Sequence, residues 1–343
     1  MENFLKTIKS NIQEKKYSGF IRYIIAVLAL HIIGIALLIT GVSKYPQIIG
    51  MAVLSYTLGL RHAFDADHIT AIDNTVRKLV QERQNPKGVG FLFSFGHSTV
   101  VIIMAALTVF AVKWTENSMP QFQKYGGAIS LAVSGSFLLI IGLVNLFMWK
   151  DIFKTFLKVR KGTYKEEELD YDNSKGFINK LTGIVYKSIR KGWHVYILGF
   201  LFGLGFDTAT QVSLLATSAT AASHEIPILA TLSFPILFTA GMSLMDTADG
   251  FFMCTAYEWV FSTPIRKIYY NLTITGLSVI AALFIGFIEI IQMITPILGL
   301  DNEFCNFISN LDFNIAGYIL VGLFIVVWGI SYAGWKILNI GEK

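Results

Sequence analysis

The sequence RHAFDADHITAID at residues 61–73 continues directly from an apolar run at residues 48–60. It brings two histidines and three aspartates into a segment that is otherwise apolar enough to enter a bilayer. Moving carboxylates and imidazoles toward hydrocarbon is unfavourable by several kcal/mol, so ionisable residues at this depth mark an ion path or a buried site by default. The stretch therefore predicts a membrane-spanning helix with a functional site inside it.

The composition extends this interpretation to the whole chain of 343 residues. Hydrophobic residues make up 54% and charged residues 15% of it, with a mean hydropathy of +0.57, whereas an average soluble domain has about 25% charged residues. We therefore expect a polytopic membrane protein. The two cysteines, Cys254 and Cys305, lie far apart and form no CxxC pair, which argues against a thiolate metal cluster or a disulfide framework.

Eight apolar runs of about 20 residues or more are long enough to cross a bilayer. They lie at residues 23–41, 47–76, 90–112, 128–148, 195–215, 227–245, 273–295 and 315–335. The second run and the sixth, which continues to residue 245 or beyond, are overlong, which indicates tilt, a kink or a cytoplasmic extension. The predicted fold class is an all-α polytopic membrane protein with eight transmembrane helices.

Lysine and arginine residues predict the orientation, because cationic loops stay on the cytoplasmic side. With the N-terminus inside, the cytoplasmic segments contain 24 of the 28 lysine and arginine residues. Both termini are therefore predicted to be cytoplasmic, in a protein of the cytoplasmic (inner or plasma) membrane. This bias explains the net charge of +5, so the lipid bilayer is the expected partner and nucleic acid is not.

The predicted organisation has five parts, divided by a long polar stretch in the middle of the chain. They are a cytoplasmic N-terminal segment (1–22), helices one to four (23–148), a cytoplasmic linker (149–193), helices five to eight (194–336) and a cytoplasmic tail (337–343). Similar aspartate-containing strings occur at residues 64–67, 206–209 and 246–249. With four spans on each side of the linker, they favour the hypothesis of two parallel four-helix halves, a type of repeat found in some carriers.

The spacing within the first motif predicts a distorted helix. In an unbroken helix at about 100° per residue, Asp65 lies about 60° from His62, whereas Asp67 points about 140° away from His62. Asp67 then either serves a neighbouring helix or joins the site because the helix is distorted. We favour distortion, as in the discontinuous helices of carriers, although no proline or glycine forces a break there.

A third histidine, His97, lies in the next apolar run, within FSFGHSTV at residues 93–100. Counted from opposite membrane surfaces, His62 lies about 22 Å and His97 about 10 Å deep, so both reach a similar level of a core about 30 Å thick. Imidazole nitrogens with carboxylates favour nickel, cobalt, copper(II) or zinc, whereas copper(I) prefers thiolates and magnesium prefers oxygens. The predicted ligand is a first-row divalent cation.

Four ordered motifs resemble the nickel/cobalt transporter family. The first contains the pattern His-x4-Asp-His, formed by His62, Asp67 and His68, and the other three are FSFGHSTVV (93–101), LGFDTAT (204–210) and GMSLMDTAD (241–249). The resemblance implies high-affinity, energy-coupled uptake of Ni²⁺ or Co²⁺ across the cytoplasmic membrane by a secondary carrier. The metal is then the transported substrate, and no resident cofactor is expected. One departure is Gln211, where the family commonly has glutamate.

Two sets of residues are candidates for the site. The expected metal ligands are His62, Asp65, Asp67, His68 and His97. The candidates for an outer shell or for the ion pathway are His31, Asp73, Asn74, Ser98, Asp207, Thr208, Asp246 and Asp249. For this second set a structural role competes, because an aspartate also caps helices and a lone membrane histidine such as His31 also packs helices together.

Two alternatives to uptake stay open at this point. An exporter of the same metals would use the same donors. Exporters often have a histidine-rich cytoplasmic loop, but the predicted cytoplasmic residues 150–191 contain no histidine. An intramembrane metal-dependent hydrolase would also use histidine and aspartate, but the chain has no His-Glu-x-x-His motif. The chain also lacks the phosphate-binding P-loop motif Gly-x4-Gly-Lys-Ser/Thr, so nothing in it indicates an ATP-driven motor. We therefore expect a permease that is not an enzyme and requires no ATPase subunit.

Overall fold

The computed structural model of the chain describes residues 2–81, 84–110, 112–160, 192–205, 209–224, 226–260, 264–309, 311, 317–327 and 329. All regular elements in these residues are α-helices. In chain order they are α1 (Glu2–Val42), α2 (Ile48–His62), α3 (Ala66–Gln81), α4 (Val89–Phe110), α5 (Val112–Arg160), α6 (Gly192–Phe202), α7 (Ala209–Ser223), α8 (Ile228–Thr231), α9 (Ser233–Val260), α10 (Pro264–Leu298), α11 (Glu303–Ser309) and α12 (Gly317–Val327).

Five stretches in this part of the chain are long and apolar enough to cross a membrane. They are Gly19–Val42, Val89–Phe110, Tyr125–Lys154, Ile228–Tyr257 and Leu272–Leu298. Two shorter apolar helices, Trp193–Phe202 and Gly317–Val327, lie where the fifth and eighth spans are predicted. The all-helical, multi-pass class is thereby confirmed, whereas the number of eight spans and the division into two parallel halves stay predictions.

Several helices extend beyond the predicted spans. The polar N-terminal segment is helical from Glu2 and continues into the first span, and α5 includes both the predicted loop at residues 113–127 and the first part of the predicted linker. Hydropathy marks only the part of a helix that is apolar, while lysine, glutamate and glutamine also favour helix outside the membrane. The linker residues 161–191 lie outside the described part of the chain.

The second predicted span consists of two helices, α2 and α3, which confirms the expected distortion. Residues 63–65 form tight turns, in which the amides of Phe64 and Asp65 donate to the carbonyls of Arg61 and His62, both at 3.0 Å. The distal helix α12 covers this turn, since the ring of Tyr318 stacks on that of Phe64 with centroids 5.0 Å apart. A Cβ at position 317 would overlap the Phe64 carbonyl.

The fifth predicted span is also interrupted, which the sequence analysis did not predict. Helix α6 ends at Phe202, three non-helical residues follow, and α7 begins at Ala209. Gly203 and Gly205 lie in this interruption, and glycine disfavours helix because it retains more backbone freedom in the unfolded chain. The prediction of one continuous helix across residues 195–215 was therefore wrong.

Reciprocal glycines bring α4, the helix that carries His97, into backbone contact with α6. A Cβ at Gly96 of α4 would overlap the Tyr196 carbonyl of α6, and a Cβ at Gly199 of α6 would overlap the Phe93 carbonyl of α4. Such small residues allow close approach of membrane helices. Because Gly96 precedes His97 in the chain, this contact positions the backbone of α4 that carries His97.

Helix α3 is polar in sequence but is buried along most of its length. Its Arg77 guanidinium donates to the Tyr257 hydroxyl of α9 at 2.8 Å and to Ser278 Oγ of α10 at 2.7 Å. The Tyr257 hydroxyl donates in turn to Asp73, and Asn145 of α5 donates to Asn74 Oδ1 at 2.5 Å. These pairings link α3 to three surrounding helices and supply partners for polar groups that would otherwise be costly to bury.

Candidate metal site

Three histidine side chains from three helices converge in the interior of the protein. His62 ends α2, His68 lies in the first turns of α3, and His97 lies in the middle of α4. All three are at most 2% exposed. Each offers one ring nitrogen such that these nitrogens lie within 4.8 Å of one another. The break between α2 and α3 is what allows His62 and His68 to face the same centre.

The two nitrogens of His62 have different surroundings. Its Nδ1 lies 2.7 Å from Asp65 Oδ2 and 3.1 Å from Thr210 Oγ1. Its Nε2 lies 3.0 Å from His97 Nε2. A carboxylate at Nδ1 favours the tautomer with the proton on Nδ1, which leaves the Nε2 lone pair directed toward the centre of the cluster.

His68 has the same arrangement with a carboxylate from a distant helix. Its Nδ1 lies 3.2 Å from Asp246 Oδ2 of α9, and both side chains are almost completely buried. Its Nε2 has no hydrogen-bond partner within the described residues. Carboxylates commonly hold metal-binding imidazoles in this way and increase their basicity. Asp246, predicted as an outer-shell or pathway residue, thus contacts a predicted ligand directly.

His97 shares its inward nitrogen with a glutamine amide. Gln211 Nε2 lies 2.6 Å from His97 Nε2 and 3.2 Å from His62 Nε2, and its Oε1 has no partner in the described part of the chain. A half-turn of the amide exchanges its oxygen and nitrogen, so either atom can face the imidazoles. Gln211 therefore occupies the position from which a fourth donor can reach the centre.

Two of the three imidazole nitrogens, those of His62 and His97, are close enough to bind one first-row dication together. Two nitrogens at about 2.1 Å from a metal and at right angles to each other are about 3.0 Å apart, the cis arrangement of octahedral or square-planar complexes. The observed separation of His62 Nε2 and His97 Nε2 is 3.0 Å. Tetrahedral angles would separate the same nitrogens by about 3.4 Å at this bond length. The distance is also that of a hydrogen bond between the two rings, so it agrees with a shared ion but does not select the metal.

The acidic members of the first motif lie beside this centre. Asp65 is buried against His62, and its Oδ1 has no hydrogen-bond partner among the residues described. Asp67 is half-buried at the start of α3 and, like Asp65 and His97, lines a cavity next to the cluster. Carboxylates at these positions can compensate the charge of a bound dication.

Three other predicted residues, His31, Asp73 and Asn74, lie apart from the histidine cluster. His31 bonds to the Val27 carbonyl at 2.8 Å and to the Tyr56 hydroxyl at 3.2 Å, as a helix-packing histidine does. Asp73 and Asn74 belong to the α3 network and contact Tyr257 and Asn145 instead of the histidines. On one continuous helix Asp73 would share a face with His62, but α2 ends at His62 and α3 begins at Ala66, so this relation does not hold.

The remaining predicted residues have less specific surroundings. Ser98 is buried, and its Oγ has no partner within the described ranges. Asp249 is half-buried on α9, one turn beyond Asp246. Asp207 and Thr208 lie outside the described residues.

Sequence reasoning missed three residues near the site. Thr210 is the last residue of the third motif and Gln211 follows it; Gln211 was noted only as a departure from the family, and neither neutral side chain was assigned to the site. Glu289 lines the cavity next to the cluster and is 3% exposed. Its signal was available, because a carboxylate inside an apolar span is by default functional.

Comparison with known proteins identifies the family to which the chain is similar. A family model described as a high-affinity nickel-transport protein matches residues 48–333. The nickel transporter NixA of Staphylococcus aureus is 49% identical over 326 residues, which cover 95% of this chain and 96% of the relative. The high-affinity nickel-transport protein NixA of Helicobacter pylori is 46% identical over 322 residues, covering 92% and 96%.

A cobalt transport protein is also similar. NhlF of Rhodococcus rhodochrous is 36% identical over 313 residues, which cover 88% of each chain. No solved structure matches the chain. The relatives are named as transporters and not as enzymes, so the alternative of an intramembrane hydrolase is excluded and the metal is cargo instead of a cofactor. The chain belongs to the high-affinity nickel-transport protein family.

Proposed function

We propose that the protein is a secondary transporter that takes up Ni²⁺, Co²⁺ or both across the cytoplasmic membrane through the His62, His68 and His97 site. The observation that carries the proposal is the convergence of these three buried imidazoles, whose donor nitrogens lie within 4.8 Å of one another. Two of the rings have a carboxylate at Nδ1. Donor type, spacing and burial all suit a partly dehydrated first-row dication.

The donors replace the water shell of the ion step by step. A hydrated dication enters the cavity beside Asp65 and Asp67, where negative charge compensates its own. It then exchanges waters for the inward nitrogens of His62 and His97. The Nε2 atom of His68 also binds the ion, while Asp246 holds the other side of that ring. Neutral imidazoles bind Ni²⁺ and Co²⁺ more strongly than the harder magnesium and calcium ions, which prefer oxygen.

The membrane potential can drive uptake without ATP. Two positive charges that cross an inside-negative potential of about 100 mV release about 4.6 kcal/mol, which corresponds to an accumulation of more than about a thousandfold. This supports a permease that works as a single component. In the orientation predicted from the lysine and arginine distribution, with both termini in the cytoplasm, uptake moves the ion toward the side that carries the termini.

Uptake of radioactive nickel by energised cells tests the site. His62→Ala and His97→Ala should abolish accumulation while the amount of protein in the membrane stays the same. His31→Ala is the matched control, because it also removes a membrane imidazole but one that contacts Val27 and Tyr56 instead of the cluster. Undiminished uptake by the His62 and His97 variants would contradict the proposal.

Direction and energy source are tested with the purified chain in proteoliposomes. A potassium diffusion potential, negative inside, should drive nickel into vesicles that contain no other protein, and Co²⁺ in excess should compete. An exporter would instead lower cellular nickel, so cells lacking the gene would accumulate more. Nickel entry that needs an added ATPase would contradict the single-component mechanism.

A further inference from the structure

A cavity of about 770 Å³ leads away from the histidines between α5 and α10. At its inner end it is lined by His62, His97 and Gln211, and at its other end by Gly299 and Asp301. The latter two residues are exposed in the connection between α10 and α11. The cavity therefore connects the buried imidazoles with the surface of the protein. In the orientation predicted from the basic residues, this surface faces outside.

Glu289 lines this cavity within the apolar stretch Leu272–Leu298 of α10. It is 3% exposed, and its Oε2 accepts a hydrogen bond of 2.7 Å from Ser134 Oγ of α5. Gln292, which follows on the same helix, also lines the cavity. An ionisable group at such a position is unfavourable unless it serves the ion path. The histidine site does not account for it, because Glu289 lies on another helix pair.

We infer that Glu289, together with Ser134, forms an outer capture site that binds a hydrated divalent cation before it reaches the histidines. The inference rests on the proposed function. Carboxylate and hydroxyl oxygens hold a dication that keeps much of its water. They bind it weakly and with little selectivity among first-row metals, so selection would follow at the imidazoles. A negative charge in a low-dielectric cleft also raises the local cation concentration and the rate of association.

A purely structural role is the competing explanation, because the Glu289–Ser134 bond also links α5 to α10. The two roles differ in what they require of the side chain. Glutamine at position 289 retains an oxygen that accepts from Ser134, so it preserves the link and removes only the charge. Ser134→Ala does the reverse, because it removes the hydrogen bond and retains the carboxylate.

The first experiment measures initial rates of nickel uptake over a range of concentrations in energised cells. Glu289→Gln should raise KM about tenfold and keep Vmax within about twofold of the wild type, since focusing by a charged cleft typically changes association by tenfold or more. Glu303→Gln is the matched control: it removes the same charge from α11, where the side chain is exposed and does not line the cavity. It should leave KM unchanged.

A second measurement separates capture from binding at the histidines. The visible absorption of Co²⁺ bound to the purified protein should give the same affinity for the wild type and for Glu289→Gln. An unchanged KM in Glu289→Gln, an equal rise in Glu303→Gln, or a loss of Vmax alone would overturn the inference. None of these results would affect the proposed function, which is tested separately by the His62 and His97 variants and by the proteoliposome assay.

A third measurement leaves Glu289 in place. Leu131 of α5 lines the same cavity, so Leu131→Cys places a thiol in the cavity wall. The variant is made in a Cys305→Ser background to remove another thiol that the reagents could modify. A cationic methanethiosulfonate reagent should modify the thiol at position 131 about tenfold faster than an anionic one, relative to their rates with free cysteine. Added Ni²⁺ should slow the cationic reagent. Equal relative rates for the two reagents would overturn the inference even if Glu289→Gln failed to fold.

Discussion

Replacing Asp246 by asparagine should weaken nickel binding without abolishing transport. Asp246 Oδ2 lies 3.2 Å from His68 Nδ1, and neither side chain is more than 1% exposed. Asparagine keeps the size of the side chain and a neutral acceptor but removes the charge. Hydrogen bonds to charged groups contribute about 1.5–3 kcal/mol, compared with about 1 kcal/mol for neutral ones. The imidazole is therefore oriented less firmly and becomes a weaker donor.

The length of the bond sets the expected size of the effect. At 3.2 Å it is at the long end of the usual range for N–H···O bonds, so the lower end of the range for charged groups applies, about 1.5 kcal/mol, which is slightly more than tenfold. Loss of a partner of a metal-binding histidine typically lowers affinity by about 10-fold to 100-fold, in agreement. We therefore expect KM for nickel uptake to rise about tenfold in Asp246→Asn.

Initial rates of radioactive nickel uptake, normalised to the amount of protein in the membrane, measure this effect. Thr255→Val is the control on the same helix, because the Thr255 hydroxyl bonds only to the Phe251 carbonyl of its own helix, at 2.9 Å. A KM for Asp246→Asn within twofold of the control would refute the reasoning that Asp246 orients His68. Complete loss of uptake at all nickel concentrations would refute it too, since loss of the orienting bond should raise KM only about tenfold.

Three further predictions concern packing, buried charge and ligand-linked stability. Gly96→Leu should remove most folded protein from detergent extracts on size-exclusion chromatography, because any Cβ there meets a facing carbonyl, whereas Gly50→Leu, with open space around it, should behave as wild type. Arg77→Met should lower the free energy of unfolding by about 3–5 kcal/mol in thermal melts, and adding Asp73→Asn should restore part of it; an unchanged Tm would contradict this. Ni²⁺ at about 100 times its Kd should stabilise the purified protein by about 2.7 kcal/mol, and an equal response of His97→Ala would argue against binding at the cluster.

Much of the site was predictable because its residues are chemically conspicuous. His62, His68 and His97 stand out as imidazoles in apolar segments, and the break after His62 follows from the awkward position of Asp67 on a regular helix. These inferences use only local periodicity and the high free energy of burying polar groups, both of which a sequence contains. The all-helical membrane class follows for the same reason.

Other features depend on tertiary contacts that no local pattern reports. Asp246 contacts His68 from a helix far along the chain, and Gln211 is neutral, so neither position alone indicates its contact. The interruption after Phe202 was missed because leucine and phenylalanine on both sides keep the hydropathy high. The length of α5 was missed because the hydropathy pattern identifies only the apolar run at residues 128–148, whereas the helix extends beyond this run in both directions.

The turn at residues 63–65 contains no residue that breaks a helix. Helix α12 packs against this turn through the ring of Tyr318 and through the close approach of Gly317. The ribosome synthesises α12 after all the residues of the candidate metal site. A nascent chain that has inserted only the earlier helices therefore lacks the contact that holds α2 and α3 apart, and we expect it to bind nickel poorly. Maturation of the binding site would thus be a late event in biosynthesis, and a chain truncated after residue 311 should fail to retain nickel even if it reaches the membrane.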